Sequence, residues 1–178
     1  MKYKALIPII LTFIISLNNS NIAFAKNNEV SYMRNGISFS IAEGWKAIAN
    51  DSIGDNAYYY SAERIGLKAT GLITVTWVNK VEKPETIISM HQQSMKSANM
   101  YRNPGIEFSE MIPDNFAGLK VESCRYTTFV KEQKLEGIIY CFNRRQKTIT
   151  IFFQTGISDQ KLNQKAFELF KQTFNCRE

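Results

Sequence analysis

The chain has 178 residues, 44% of them hydrophobic and 12% aromatic, with 9 glycines and 4 prolines; this excludes a disordered or fibrous chain and suits a globular domain with a proper core. The formal charge is +6, with lysines and arginines spread among acids, so no basic, aromatic-interleaved stripe marks a nucleic-acid binder. One histidine and three scattered cysteines exclude a multi-histidine metal site and a paired-cysteine zinc site.

Lys2 and Lys4 form a basic start, Ala5 to Leu17 an apolar run, and Ala23-Phe24-Ala25 a small-residue site before Lys26. That is the order of a secretory signal peptide cleaved after Ala25. The run is about thirteen residues, short of the roughly 20 that span a bilayer as a helix. No cysteine lies in residues 1–25 to carry an acyl chain. The expectation is a periplasmic or secreted protein with no integral membrane anchor after cleavage, its single domain formed by residues 26–178. Cleavage removes two lysines and no acid, lowering the charge to +4.

Asn35-Gly36 is a two-residue turn signal between Tyr32-Met33 and the alternating Ile37, Phe39 and Ile41, which predicts a hairpin. Glu43-Gly44-Trp45 closes its second strand, with Trp45 as an apolar plug. Tyr58-Tyr59-Tyr60 is a short strand candidate, and Leu72 to Val78, rich in β-branched and aromatic residues, a stronger one. Glu63 to Thr70 reads as the turn between them. Pro84 starts a helix, where its missing N–H costs nothing, and Ile88, His91, Met95 and Ala98 share one face as far as about Tyr101.

Asn103-Pro104-Gly105 stops that helix, Ile106 to Ile112 predicts a strand, and Pro113-Asp114-Asn115 a turn. Gly118 to Val130, Gly137 to Asn143 and Thr148 to Thr155 then predict an antiparallel meander. Lys131 to Lys134 and Arg144-Arg145-Gln146-Lys147 are its polar turns, the second a solvated one. Ile138, Tyr140 and Phe142 alternate to meet Ile149, Ile151 and Phe153, while Ile139 and Phe152 make the other face apolar too. A sheet apolar on both faces needs cover on both. The C-terminal segment supplies one cover: Ser158 and Asp159 suit a helix start, and Leu162, Ala166, Leu169, Phe170, Thr173 and Phe174 form its apolar stripe. The expected fold is α+β, a three-layer α/β/α sandwich with a mostly antiparallel sheet, a central helix and a C-terminal amphipathic helix.

The opening Asn35-Gly36-Ile37-Ser38-Phe39-Ser40-Ile41-Ala42-Glu43-Gly44-Trp45, followed by strand, helix, meander and last helix over Thr70 to Phe174, resembles domains of the PsbP and Mog1 type. Ala42 departs from the proline usual before the Gly-Trp turn of those domains. The resemblance implies a three-layer sandwich that binds or assists a partner without catalysis. It carries no functional residue over, because the matching positions are turn and core residues.

An oxidising compartment makes cysteine pairing informative. A hairpin turn centred on Glu132 to Lys134 sets Cys124 opposite Cys141, an expected cross-strand disulfide; Cys176 bonded to either, or three reduced thiols, are the alternatives. His91 reads as structural. No nucleophile motif or phosphate-binding glycine loop is present, and no cofactor is expected. Glu107, Glu110 and Glu122 are the acids open to pairing as in glycosidases, whereas Tyr58, Tyr59, Tyr60 and Trp77 are the candidate binding surface.

These features favour an exported, non-enzymatic binding or accessory module of the cell envelope, its partner a protein or envelope component. A carrier of a small apolar ligand, a paired-carboxylate hydrolase and a secreted inhibitor or immunity-type protein are the alternatives.

Overall fold

In a computed structural model, which describes residues 30–101, 105–130 and 132–177, the first hairpin forms where Asn35-Gly36 places it. β1 (Val30–Arg34) pairs antiparallel with β2 (Ile37–Ile41). Asn35 and Gly36 both take positive φ, 48° and 77°, the turn geometry that matches strand twist. The expected signal peptide, the helix stop at Asn103-Pro104 and Lys131 of the first polar turn lie outside the described residues.

Trp45 is buried as expected but opens a strand, β3 (Trp45–Ile53), that the sequence does not announce. β3 is an edge strand with a bulge at Ala47/Ala49 and a mostly exposed side-chain row, so it lacks apolar alternation. β4 (Ala57–Arg64), β5 (Leu72–Val78) and α1 (Pro84–Ser97) follow, and Asn99–Tyr101 adds a short 3₁₀ turn.

The expected strand from Ile106 to Ile112 is two, β6 (Ile106–Phe108) and β7 (Ile112–Phe116), both paired with β8 (Leu119–Val130). Pro113-Asp114-Asn115, expected as a turn, is inside β7. Because β7 pairs only with β8, the missing N–H of Pro113 disrupts nothing, and the chain reverses instead at Ala117-Gly118, with φ of 52° and 81°.

β9 (Gln133–Arg144) and β10 (Lys147–Gly156) complete the meander, followed by α2 (Gln160–Thr173) and β11 (Asn175–Cys176). The main sheet runs β3-β4-β5-β10-β9-β8-β6 with β7 also on β8, and β1-β2-β11 form a small second sheet. Every pairing among the described residues is antiparallel.

Two cores flank the main sheet. On one face Ile138, Tyr140 and Phe142 meet Phe153, Ile151 and Ile149 in the expected register. They are covered by α2 and the small sheet, with Phe153 stacked on Phe167 at 4.2 Å. On the other face Ile139, Cys124, Cys141 and Tyr126 pack with Ile88, Met95 and Tyr101 of α1 and its 3₁₀ turn. The architecture is the three-layer α/β/α sandwich. The stripe of α2 differs from expectation: Leu162 is 60% exposed, and Asn163, Ala166, Phe167 and Phe170 face inward. The fully buried Asn163, whose amide donates to Thr155 Oγ1 at 2.9 Å, fixes that rotation.

The cysteine register also differs. Val130 faces Gln133, so Cys124 lies opposite Ile139 and Cys141 opposite Glu122. The two cysteines are diagonal neighbours, about 7–8 Å apart, beyond the usual span of a disulfide, and all three cysteines carry free thiols. Burial pushes the Cys141 thiol up to about 11. Native alkylation at neutral pH is therefore expected to modify half-buried Cys176 first and to reach Cys124 and Cys141 only after denaturation. A reductant-dependent mass change of two hydrogens, read by mass spectrometry, contradicts this.

Candidate functional site

The turn Arg145-Gln146 between β9 and β10, like those at Asn35-Gly36 and Ala117-Gly118, has two positive φ values, 50° and 59°. Sheet register brings other segments to the same end. Val78 of β5 faces both Ala57 of β4 and Thr148 of β10, so the start of β4 and the residue after β5 flank this turn. β11 sets Cys176 against Ile37, and the Arg177 N–H donates to the Gly36 carbonyl at 2.7 Å, which carries the C-terminal end over the first turn.

These segments bound a cleft of about 430 Å³ lined by Asn35, Gly36, Tyr58, Asn79, Arg145, Gln146 and Lys147. The lining offers two basic side chains, three side-chain amides and one aromatic edge. Tyr58 stacks on Trp77 at 5.5 Å on one side and carries the Arg34 guanidinium on its ring at 5.1 Å. Its hydroxyl donates to the Asp55 carbonyl at 3.2 Å. Arg144 lies beside Cys176, whose Sγ is 4.0 Å from the Arg144 carbonyl oxygen. Burial pushes the Cys176 thiol up, while Lys147, Arg144 and Arg145 act in the opposite direction. Lys147, Arg144 and Arg145 thus put a local positive charge beside this turn, of the sign that attracts anions.

Of the four aromatics expected to form a binding surface, only Tyr58 reaches the cleft. Tyr59, Tyr60 and Trp77 are 6%, 3% and 1% exposed, because β4 and β5 are interior strands whose faces are covered. Tyr60 meets Tyr32 at 4.5 Å and Phe39 at 5.1 Å from the small sheet. Asn35, Gly36 and Asn79 escape sequence reading as site residues, since nothing local distinguishes a turn that lines a cleft from one that faces water. Arg145 to Lys147 form the polar turn expected of them and line the cleft as well.

Other candidates lie elsewhere. His91, half-buried on α1, has its pKa pushed down to about 4 by burial; it is neutral at neutral pH and does not line the cleft. Glu122 shares a second cleft of about 530 Å³ with Glu85 and Asp114, and Asp114 accepts from the Ser123 hydroxyl at 3.1 Å. Glu107 and Glu110 are exposed and outside it. Among the described residues no group of three His, Cys, Asp or Glu side chains is placed to hold a metal, and no helix is long and apolar enough to cross a membrane.

No family model and no curated protein matches the sequence. Solved structures do match the fold. Cyanobacterial PsbP from Synechocystis sp. PCC 6803 superposes with a TM-score of 0.53 at 13% identity, over 89% of this chain and 98% of that one. A mutant of the protein Mog1 gives 0.48 at 9% identity, over 85% and 96%. LpqN of Mycobacterium tuberculosis, which is involved in cell envelope biogenesis, gives 0.45 at 6% identity, over 85% and 91%. At these identities the likeness is one of fold, and the element order, the covered antiparallel sheet and the closing helix agree with it: the chain has a PsbP/Mog1-like fold.

Proposed function

We propose that this protein is an exported, non-enzymatic module of the cell envelope that holds a partner protein or envelope component through the cationic end of its sheet. The observation that carries the reading is the cleft between the turns at Asn35-Gly36 and Arg145-Gln146, whose lining brings Arg145, Lys147 and three side-chain amides together. Such a lining recognises an anionic group by charge-assisted hydrogen bonds. The leader sequence, with its basic start, short apolar run and Ala-x-Ala site, supports export.

The test is recovery of the partner from the native envelope under mild crosslinking, with the wild type and with Lys147→Glu. Charge reversal is expected to weaken binding about tenfold, or ~1.4 kcal/mol, and the wild-type interaction to weaken with added salt. Equal recovery by the two proteins at low salt overturns the assignment of this cleft. Repeated recovery of the protein alone overturns the binding function.

A further inference from the structure

The opposite end of the sheet has a different character. The loop 65–71 lies beyond the far ends of β4 and β5 from the cleft, about 23 Å away for seven residues at ~3.3 Å each. It is held rigidly: the Ile65 N–H donates to the Gly44 carbonyl at 2.7 Å, the Arg64 N–H to the Gly71 carbonyl at 3.0 Å, and the Thr70 N–H to Asp159 at 3.0 Å. The last bond joins the loop to the turn Ile157–Asp159 that precedes α2. From this joined surface Leu67 projects 97% exposed, Ile157 58% and Leu162 60%.

Lysines accompany the apolar tips. Lys68, Lys161 and Lys165 are exposed and form no ion pair among the described residues. The neighbouring acids are mostly engaged: Glu63 with Lys46, Asp159 with Arg64, Glu136 with Lys134 and Glu168 with Lys171. Glu43 and Glu132 are the exposed acids on the adjoining turns. Val30 faces Ile41, next to the β2–β3 turn, so the described chain begins at this same end, with the apolar run Ala5 to Leu17 upstream in sequence.

From these features we infer that this end docks peripherally on an anionic lipid surface. Leu67, Ile157 and Leu162 enter the boundary between headgroups and acyl chains, and Lys68, Lys161 and Lys165 meet the lipid phosphates. The cleft then faces away from the membrane, open to its partner. The inference is independent of what the cleft binds.

Vesicle co-sedimentation tests it, using protein exported and purified from cells expressing the full chain. Wild type is expected to sediment with phosphatidylglycerol vesicles, less so with rising salt, and far less with phosphatidylcholine vesicles. Leu67→Glu, at a position too exposed to unfold the domain, is expected to weaken sedimentation about tenfold, as is Lys161→Glu with Lys165→Glu. Lys147→Glu, at the other end, is expected to leave it unchanged, which separates this result from partner recovery. Wild-type protein that stays in the supernatant overturns the inference. Binding that survives both end-specific variants, or that falls equally with Lys147→Glu, also overturns it.

Discussion

Gly137→Ala is expected to destabilise the protein by about 3 kcal/mol and to lower its melting temperature by roughly 6–12 °C. Gly137 is in the interior of β9, directly opposite Tyr126 of β8, and the Tyr126 ring folds across the space where a side chain would stand. A Cβ at residue 137 falls on the ring carbons and the hydroxyl of Tyr126. The ring has no room to retreat. It stacks on Phe152 at 5.3 Å, and its hydroxyl donates to Gln154 Oε1 at 3.1 Å in a fully buried pair. Expelling it combines the strain of overpacking with the loss of a buried hydrogen bond. Thermal unfolding measures the effect. Combining Gly137→Ala with Tyr126→Leu is expected to cost less than the two changes summed, because the smaller side chain vacates the contested space. A Gly137→Ala melting temperature within 2 °C or so of wild type contradicts this account.

Asp159→Ala is expected to cost about as much, ~3 kcal/mol. Its carboxylate accepts from the Arg64 guanidinium at 2.5 and 3.2 Å, from the Thr70 N–H at 3.0 Å and from the Thr70 hydroxyl. The side chain of Asp159 is 7% exposed and that of Arg64 21%. Truncation leaves a largely buried guanidinium and two half-buried donors of Thr70 unmatched, and it frees the loop 65–71 from the start of α2. Desolvation by itself raises the Asp159 pKa; the hydrogen bonds from Thr70 and Arg64 outweigh it, and the net shift is downward from 3.8.

A carboxyl whose folded pKa lies below its unfolded value contributes stability that is complete above the unfolded pKa and is lost as pH falls through the folded one. The Asp159 contribution is therefore present in full at neutral pH and disappears only below about pH 4. The stability difference between wild type and Asp159→Ala, followed by denaturant titration at a series of pH values, is expected to shrink over that acid range. A difference that stays constant down to pH 2 or so removes the carboxylate from the explanation.

Asp159 also shows how local and tertiary information divide. From its neighbours it is a helix start, and α2 does begin one residue later. Yet its side chain makes no capping bond; it reaches Arg64 and Thr70, about ninety residues earlier in the chain. Gly137 behaves similarly. A glycine amid β-formers suggests a strand boundary, whereas β9 runs through it from Gln133 to Arg144 because the Tyr126 ring supplies the packing that a side chain would.

Local patterns determined the first hairpin, β5, the start of α1, the meander and its two apolar faces, because each rests on alternation, helical spacing or turn chemistry among residues close in sequence. The α/β/α layering follows from those faces, since each needs cover. Edge strands escaped: β3 is half exposed and weakly patterned, and Pro113 imitates a turn where an edge strand tolerates it. Register escaped by two residues, enough to move Cys124 from Cys141 to Ile139. The sign of a turn is local, but its centre is set by how the nine paired residues on each side bury their faces.

The cleft was beyond sequence reading for the same reason. Its lining comes from two hairpin turns, the start of β4 and the residue after β5, and only strand order and register bring them to one end. The sequence by itself determined the charge, the two-faced sheet and the turns at Asn35-Gly36 and Arg144 to Lys147, through interactions within a few residues. Tertiary structure alone decided that Tyr59, Tyr60 and Trp77 are core, that Tyr58 is not, and that Arg145 faces Asn35 across a cleft, because burial and long-range proximity are properties of the packed layers.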